Sequence, residues 1–255
     1  MPSVSPEAQQ RPEPIRSQSQ ELRPLKVKNL HNWKISYADA RELQTRLSAK
    51  IRHKPLKKNI KLTAGLDCAF SKDKTKVIAA VVVLSMDDFH IVEKAHAVRP
   101  TPIPYIPGLL SFREAPACIA AVEKLTTAPN LFLIDGQGIA HPRRLGLASH
   151  LGLFLNKPTI GCAKSRLTGT HDQPGSGKGD HTLLKDEKTS ETIGAVLRTR
   201  DNVKPLFVSV GHLCTLEDAI ETTLRCAIKY RLPEPTRQAH LLVSSIKKQP
   251  TIDSA

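Results

Sequence analysis

Apolar and polar positions alternate along the chain in short blocks, and their spacing predicts both strands and helices. The pattern predicts strands over 62–70, 77–85, 90–98, 131–134, 159–162, 193–200 and 206–210, and helices over 36–51, 111–125, 145–155 and 215–230. The first three strands are joined by connections too short for a helix, which predicts an antiparallel meander. The later strands alternate with helices, which predicts parallel pairing. The expected fold class is therefore α/β, a mixed sheet with helices on both faces.

The two ends of the chain differ from this middle region in composition. Residues 1–28 are rich in Ser, Gln, Pro and charge, and residues 244–255 are similar, so both are predicted to be flexible polar tails. Residues 29–243 are then predicted to form one domain, which is large enough to be a catalytic domain. Within it, 171–188 carries Gly, Asp, Lys and Ser and is predicted to be a surface loop.

Charge narrows the classes of partner. The formal net charge is +14, a balance that attracts polyanions, and nucleic acid is the most common partner of such a chain. An acidic protein or a membrane surface would also suit it. No apolar run is long enough to cross a bilayer, and the polar start lacks the apolar stretch of a secretory signal. We expect a cytoplasmic protein, although a nuclear one fits the same facts, with no membrane partner.

The five cysteines are widely spaced and include no C-x-x-C pair. This pattern argues against a disulfide scaffold and against a cysteine-rich zinc site.

Two carboxylates are associated with apolar strands. Asp67 lies inside one, and Asp135 ends another just before Gly136-Gln137-Gly138. Each alone is well explained as a turn former or a helix cap. If the two strands are neighbours, however, both carboxylates converge on one point, and such oxygen ligands suit Mg²⁺ or Mn²⁺.

Other polar residues admit a structural and a functional interpretation. Glu114 stands three residues after Ser111, which fits a capping box at a helix start. His212 follows a strand and a glycine, a placement that suits proton transfer or phosphate binding but is also common for structural histidines. Lys164 follows a short strand and adds basic character.

Two surface features could meet a nucleic acid. Arg143 and Arg144 precede a helix, where cations favour a phosphate, although an exposed basic turn explains them almost as well. Pro104 and Pro107 stiffen a loop that presents Tyr105. That ring either wedges into a base stack or packs on the core.

Long motifs in this sequence resemble a known family. They are AGLD at 64–67, PYIPGLLSFRE at 104–114, DGQG at 135–138, HPRRLG at 141–146, GH at 211–212 and YRLPEPTR at 230–237. They are similar to endonuclease V, the deoxyinosine-directed endonuclease, over about residues 37–240.

This resemblance implies a ribonuclease H-like fold and an acidic site for Mg²⁺, with Mn²⁺ as a substitute. Asp67, Glu114 and Asp135 match its metal ligands, and His212 and Lys164 match basic residues beside the metal. The substrate-binding residues implied are Tyr105 as the wedge and Gly108, Leu110 and Gly136 at the base pocket. Arg143 and Arg144, from their place before a helix, are added as candidates for phosphate binding.

The resemblance also implies the reaction. It predicts a monomer that cuts DNA containing deoxyinosine at the second phosphodiester bond 3′ to the lesion, leaving 5′-phosphate and 3′-hydroxyl. Two other functions remain open: an endoribonuclease acting on inosine in RNA, and a binding protein that has lost catalysis. The run ending Pro235-Thr236-Arg237 looks more like bacterial members acting on DNA, and the complete acidic set speaks against a binding protein.

Overall fold

A computed structural model describes residues 25–249 of the chain, except Pro102 and Tyr105. The helices in this part are α1 (Tyr37–Ser48), α2 (Leu110–Val122), α3 (Leu147–Leu155), α4 (Leu216–Cys226) and α5 (Glu234–Lys247). The strands are β1 (Leu62–Phe70), β2 (Lys76–Ser85), β3 (Ile91–Pro100), β4 (Leu131–Ile134), β5 (Thr159–Ala163), β6 (His181–Lys185), β7 (Thr192–Leu197) and β8 (Leu206–His212).

The strands form one sheet in the order β3-β2-β1-β4-β5-β8-β7-β6. The predicted meander of β1, β2 and β3 is confirmed, and β4 and β5 extend it as parallel strands. The expectation that the whole later part is parallel is wrong, because β8 runs antiparallel to β5 and to β7, and β6 antiparallel to β7. β7 and β8 are joined by a connection of eight residues, 198–205, which is too short for a crossover helix.

Helices cover both faces of the sheet, as predicted. In β2, Val77, Ala79, Val81 and Val83 pack in the cluster that contains the apolar residues of α2 and α3. The alternate residues of β2, from Ile78 to Leu84, pack against α5 on the other face. Side chains of a strand point alternately to the two sides of the sheet. Because β2 is covered by helices on both sides, its residues are apolar on both faces.

Two predicted elements need correction. The segment 171–188 is not all loop, since β6 lies within it; only Leu184 of that strand is fully buried, so no alternation marked it. The helix predicted over 215–230 ends at Cys226, and a separate helix, α5, follows.

The domain boundaries also differ from the predicted ones. Leu25 is buried in the core cluster of α2 and α3, so the ordered chain starts before residue 29. Helix α5 continues to Lys247, into the segment assigned to the C-terminal tail. Residues 1–24 and 250–255 of the predicted tails lie outside the described residues. No helix in the described part is long and apolar enough to span a membrane.

Candidate active site

The parallel strands place two carboxylates side by side. Leu66 of β1 is in register with Ile134 of β4, so Asp67 and Asp135 each follow a paired residue. The Asp135 N–H donates to the Leu66 carbonyl oxygen at 3.0 Å, which fixes this relationship. Lys164 follows the last residue of the neighbouring strand β5. In open sheets of this type, sites form outside the carboxyl ends of the parallel strands.

Direct contacts join these residues to a histidine from α5. The Lys164 ammonium forms a short hydrogen-bonded ion pair with Oδ2 of Asp135. Nδ1 of His240 lies 2.8 Å from Oδ2 of Asp67, whose Oδ1 accepts the Cys68 N–H at 2.7 Å. One ligand atom from each of Asp67, Asp135 and His240 lies within 4.8 Å of the others.

Gly65 allows α5 to approach β1 this closely. A Cβ atom at this position would lie 1.8 Å from the carbonyl oxygen of Pro235, at the start of α5. Only a residue without a side chain fits against this backbone. The close contact sets the position of α5 and thereby holds His240 beside Asp67.

Glu114 lies on α2, but not where a capping box would need it. The helix begins at Leu110 after the N-cap Leu109, and no side chain caps it. The Ser111 hydroxyl instead lies 3.1 Å from Nδ1 of His150. The predicted capping box is therefore wrong, because the helix starts before Ser111 and puts both residues within its first turns.

The buried carboxylates disfavour one another's charged forms. Burial, and then the charges of Asp67 and Asp135, raise the pKa of Glu114 to about 8. The pKa of Asp67 is also raised, by burial first and by Asp135 next, against the opposing effects of His240 and Lys164. Within the described part of the chain, the Glu114 carboxylate has no hydrogen-bond partner.

These features fit a divalent cation. Asp67 and Asp135 approach each other at one sheet edge. Burial and the neighbouring carboxylates raise the pKa values of Asp67 and Glu114. Carboxylate oxygens are the preferred ligands of Mg²⁺ and Mn²⁺. Asp67 and Asp135 are the residues best placed to hold such an ion, with Glu114 close enough for their charges to act on it.

The loop at Gly108 is held by three side chains from two segments. Its carbonyl oxygen accepts hydrogen bonds from Nε2 of Gln44 at 2.9 Å, Nη2 of Arg143 at 2.8 Å and Nε2 of His141 at 3.1 Å. Gly108 has a φ of +77°, which favours glycine. Leu110, two residues on, is 39% exposed. The geometry thus assigns Arg143 to holding this loop.

The side chain of Arg144 is also bound by partners within the protein. Its Nη2 lies 2.9 Å from Asp186 and 3.1 Å from Glu191, in the turn between β6 and β7. Both arginines predicted to bind substrate therefore have partners within the protein. Gly136 follows Asp135 directly, and the next residue, Gln137, donates from Nε2 to the Ser165 carbonyl oxygen at 2.9 Å.

The structure does not bring His212 to the carboxylates. His212 is in register with Thr159, the first residue of β5, whereas Lys164 follows the last residue of that strand. Its buried ring accepts the Arg52 N–H at 3.2 Å. Burial, and then the charges of Arg52, Lys28 and His53, lower its pKa to about 4. His212 thus lies at the opposite edge of the sheet, and the histidine at the site is His240, which the sequence did not single out.

The missed signal was the helix that carries His240. The buried residues Pro235, Thr236, Ala239, Val243 and Ile246 recur at helical spacing and indicate α5. A helix there, following the strands and packing on the sheet, would have drawn attention to its one histidine. Tyr105 lies outside the described residues, so its predicted role as a wedge stays a prediction.

Comparisons with known proteins show the family to which this fold belongs. The family model for Endonuclease V matches residues 45–241. Endonuclease V of Dehalococcoides mccartyi is 49% identical over 222 residues, covering 87% of this chain and 99% of the relative. The crystal structure of Endonuclease V from Streptomyces avermitilis has a TM-score of 0.81 at 39% identity, covering 86% of this chain and 96% of its own.

A third relative was crystallised with nucleic acid. Endonuclease V of Ciona intestinalis, in complex with a 24mer DNA containing an inosine followed by a ribo-adenosine, has a TM-score of 0.72 at 28% identity. The match covers 83% of this chain and 97% of that one. The predicted ribonuclease H-like α/β fold and the predicted family are confirmed, and this chain belongs to the Endonuclease V family of nucleases.

Proposed function

We propose that this chain is a Mg²⁺-dependent endonuclease that cuts DNA at the second phosphodiester bond 3′ to deoxyinosine, leaving 5′-phosphate and 3′-hydroxyl ends. The observation that supports the proposal is the approach of Asp67 and Asp135 at one sheet edge, with Lys164 paired to Asp135 and with Glu114 near enough for the two carboxylates to raise its pKa. The family and the inosine-containing ligand of the Ciona relative supply the substrate class.

The acidic residues hold the cation, and the basic residues manage charge around it. Mg²⁺, or Mn²⁺ in its place, supplies Lewis-acid stabilisation of the phosphate and lowers the pKa of water. Asp67, Asp135 and Glu114 provide its ligands. Lys164, held against Asp135, is placed to neutralise charge that develops on the phosphate oxygens. His240 fixes the orientation of the Asp67 carboxylate through its Nδ1.

Recognition of the altered base takes place in a flipped state. The 6-keto group of hypoxanthine accepts a hydrogen bond where adenine presents an amino group, so a backbone amide near Gly108 or Gly136 can distinguish them. Three hydrogen bonds to its carbonyl oxygen keep the Gly108 peptide in one orientation. Such preorganisation favours selective binding. Tyr105 fills the space that the base leaves in the stack.

One observation favours a second candidate, an endoribonuclease for inosine in RNA. The strand bound by the Ciona relative carries a ribo-adenosine directly after its inosine. A 2′-hydroxyl at that nucleotide adds a donor and an acceptor that a nuclease can read.

The test is cleavage of end-labelled DNA and RNA strands, each with one inosine or none, in Mg²⁺ and in EDTA. We expect one nick 3′ to inosine, only with Mg²⁺, and a loss of at least about hundredfold in rate for Asp135→Ala. Asp87→Ala, an exposed acid in the turn between β2 and β3, is the matched control and keeps the full rate.

The choice of strand separates the two candidates. Faster cutting of DNA supports the repair nuclease, and faster cutting of RNA supports the endoribonuclease. Cutting that is independent of inosine rules out the proposed substrate, and cutting that survives in Asp135→Ala rules out the proposed site.

A further inference from the structure

A second feature of the chain is a strongly basic connection between α1 and β1. No acidic residue occurs between Glu42 and Asp67, whereas seven lysines and arginines do: Arg46, Lys50, Arg52, Lys54, Lys57, Lys58 and Lys61. The residues from Arg52 to Lys54 and from Lys57 to Asn59 are exposed. This connection forms one wall of a cleft.

The cleft has a volume of about 690 Å³. Its lining combines three kinds of side chain. Apolar surface comes from Leu56, Ile60 and Leu213, amides come from Asn59, Asn130 and Asn156, and positive charge comes from Arg52, Lys54, Lys57 and Lys157. Among the described residues, no carboxylate lines it.

The cleft lies at the sheet edge opposite the carboxylates. Asn130 precedes β4 and Lys157 precedes β5, whereas Asp135 and Lys164 follow those strands. Leu213 follows β8 beside the first residue of β5. At a rise of about 3.3 Å per residue, the length of β5 alone separates the two edges by roughly 16 Å. The cleft is therefore not part of the catalytic site.

The cations around the cleft lack acidic partners. In the described part of the chain, no carboxylate pairs with the side chain of Arg52, Lys57 or Lys157. The nearby carboxylate of Asp218 is occupied, since its Oδ2 accepts the N–H groups of Leu56 and Thr215, both at 2.9 Å. The positive charge at this edge is left without compensation from the protein.

The positively charged groups around the cleft repel one another. Burial, and then the charge of Lys57, lower the pKa of Lys157. The lowered pKa of His212 reflects burial first and then Arg52, Lys28 and His53, from the same edge. An anion bound among these groups would relieve their repulsion, because opposite charge favours the protonated forms.

We propose that this cleft is a second, non-catalytic site that binds a nucleotide. The phosphates lie against Arg52, Lys57 and Lys157, and the base lies on the apolar surface of Leu56, Ile60 and Leu213, within reach of the asparagine amides. A purely basic surface would hold phosphate alone, whereas the apolar residues and the amides of this cleft suit a nucleobase. The nucleotide is either free or part of a nucleic acid strand that passes the far edge of the sheet.

The test is calorimetric titration of the full chain in EDTA at low salt with three probes: ADP, inorganic pyrophosphate and decathymidine. The cleft variant is Lys57→Ser with Lys157→Ser. The control variant is Lys94→Ser with Lys188→Ser, which removes the same charge from other surfaces. Thermal unfolding checks that each is folded, and the single exposed change Lys57→Ser replaces the cleft variant if it is not.

We expect ADP to bind one site, more tightly than pyrophosphate, with affinity at least tenfold lower in the cleft variant and within twofold of the wild type in the control. That result supports a free nucleotide. A cleft-specific loss for decathymidine alone supports a nucleotide within a strand. The proposal is wrong if neither ADP nor decathymidine loses affinity in the cleft variant. It is also wrong if the control variant loses as much affinity as the cleft variant. None of these titrations depends on cleavage, so they stand apart from the nuclease assay.

Discussion

At the scale of single residues, the orientation of the Asp67 carboxylate depends on two contacts. Its Oδ1 accepts the Cys68 N–H at 2.7 Å and its Oδ2 lies 2.8 Å from Nδ1 of His240. The side chain of Asp67 is only 8% exposed, so little water is available to replace either partner. His240 thus helps to determine which way one of the carboxylates proposed to hold the metal points.

Replacing His240 should therefore damage the site more than replacing His212. We expect His240→Ala to lower Mg²⁺ affinity or cleavage rate about 10- to 100-fold, as loss of a residue that orients a metal ligand does. His240→Asn should recover part of this, because the amide can donate to Asp67. The measurements are cleavage rate against Mg²⁺ concentration and the thermal stabilisation produced by Mg²⁺.

His212→Gln is the comparison, because the ring is buried at the other sheet edge. We expect it to lower the free energy of unfolding while the folded protein keeps its cleavage rate within about twofold. A large loss of rate in His212→Gln, with none in His240→Ala, would return the catalytic role to His212.

The sequence located part of this site. Asp67 and Asp135 were recognisable because a carboxylate within or after an apolar strand is costly unless it has a partner. Lys164 follows a strand, but its place at the site was predicted only from the family resemblance. His240 was not, because its position depends on how α5 packs across β1, which no local pattern encodes.

At the scale of elements, the contact between β1 and α5 joins the fold to the site. Gly65 and the Pro235 carbonyl oxygen meet without room for a Cβ atom, and His240 lies on the helix that this contact positions. The neighbouring strand β2 contributes apolar residues to the same face.

Gly65→Ala should disrupt both the packing of α5 on β1 and the position of His240. The added Cβ would meet backbone atoms, which cannot rotate away, so we expect a loss of about 3 kcal/mol in the free energy of unfolding, the upper end of overpacking costs. We also expect slower cleavage by the folded fraction, because α5 must move. Urea unfolding and cleavage at matched folded concentrations measure the two effects.

Gly177→Ala provides the control. Its Cβ would approach only the Asp180 side chain, at 3.3 Å, and that side chain can shift. We expect both stability and cleavage to stay near the wild-type values. Equal stability for the two alanine variants would show that the β1–α5 contact is looser than the structure indicates.

The elements that the sequence predicted well are those with one dominant pattern. β4 matches its predicted bounds because all four of its residues are buried and apolar, and β1 matches because a continuous run of five buried residues forms its first half. α5 was missed because Pro235, Thr236 and Ala239 take buried positions where large apolar residues are expected. β6 was missed because it is mostly exposed. The positions of α5 and β6 thus depend on tertiary contacts more than on local propensity.

At the scale of the whole molecule, three buried histidines set how stability depends on pH. His141, His150 and His212 are each at most 3% exposed. Burial is the main cause that lowers the pKa of His141 and of His212 to about 4 and that of His150 to about 3. Nearby cations add to this effect: Arg143 at His141, His31 at His150 and Arg52 at His212.

The unfolded chain takes up protons at these histidines below pH about 6.5, whereas the folded chain does so only near pH 4 or below. Their contribution to stability is therefore complete above pH 6.5 and is lost as pH falls through this window. Each histidine contributes a slope of up to about 1.4 kcal/mol per pH unit. Glu114 acts with the opposite sign, because its raised pKa favours the folded state as pH falls from about 8 towards 4.5.

His150 is the residue that isolates this effect, because it lies away from the carboxylates, between His31 and Ser111. We expect His150→Asn to be less stable than the wild type at pH 7 but to lose about 1.4 kcal/mol less per pH unit between pH 6 and 5. Urea unfolding at pH 7, 6 and 5 in EDTA measures the slopes, with the exposed His181→Asn as control. If the variant and the wild type have parallel slopes, His150 takes up its proton equally in the folded and unfolded chains, and the acid sensitivity must come from His141 and His212.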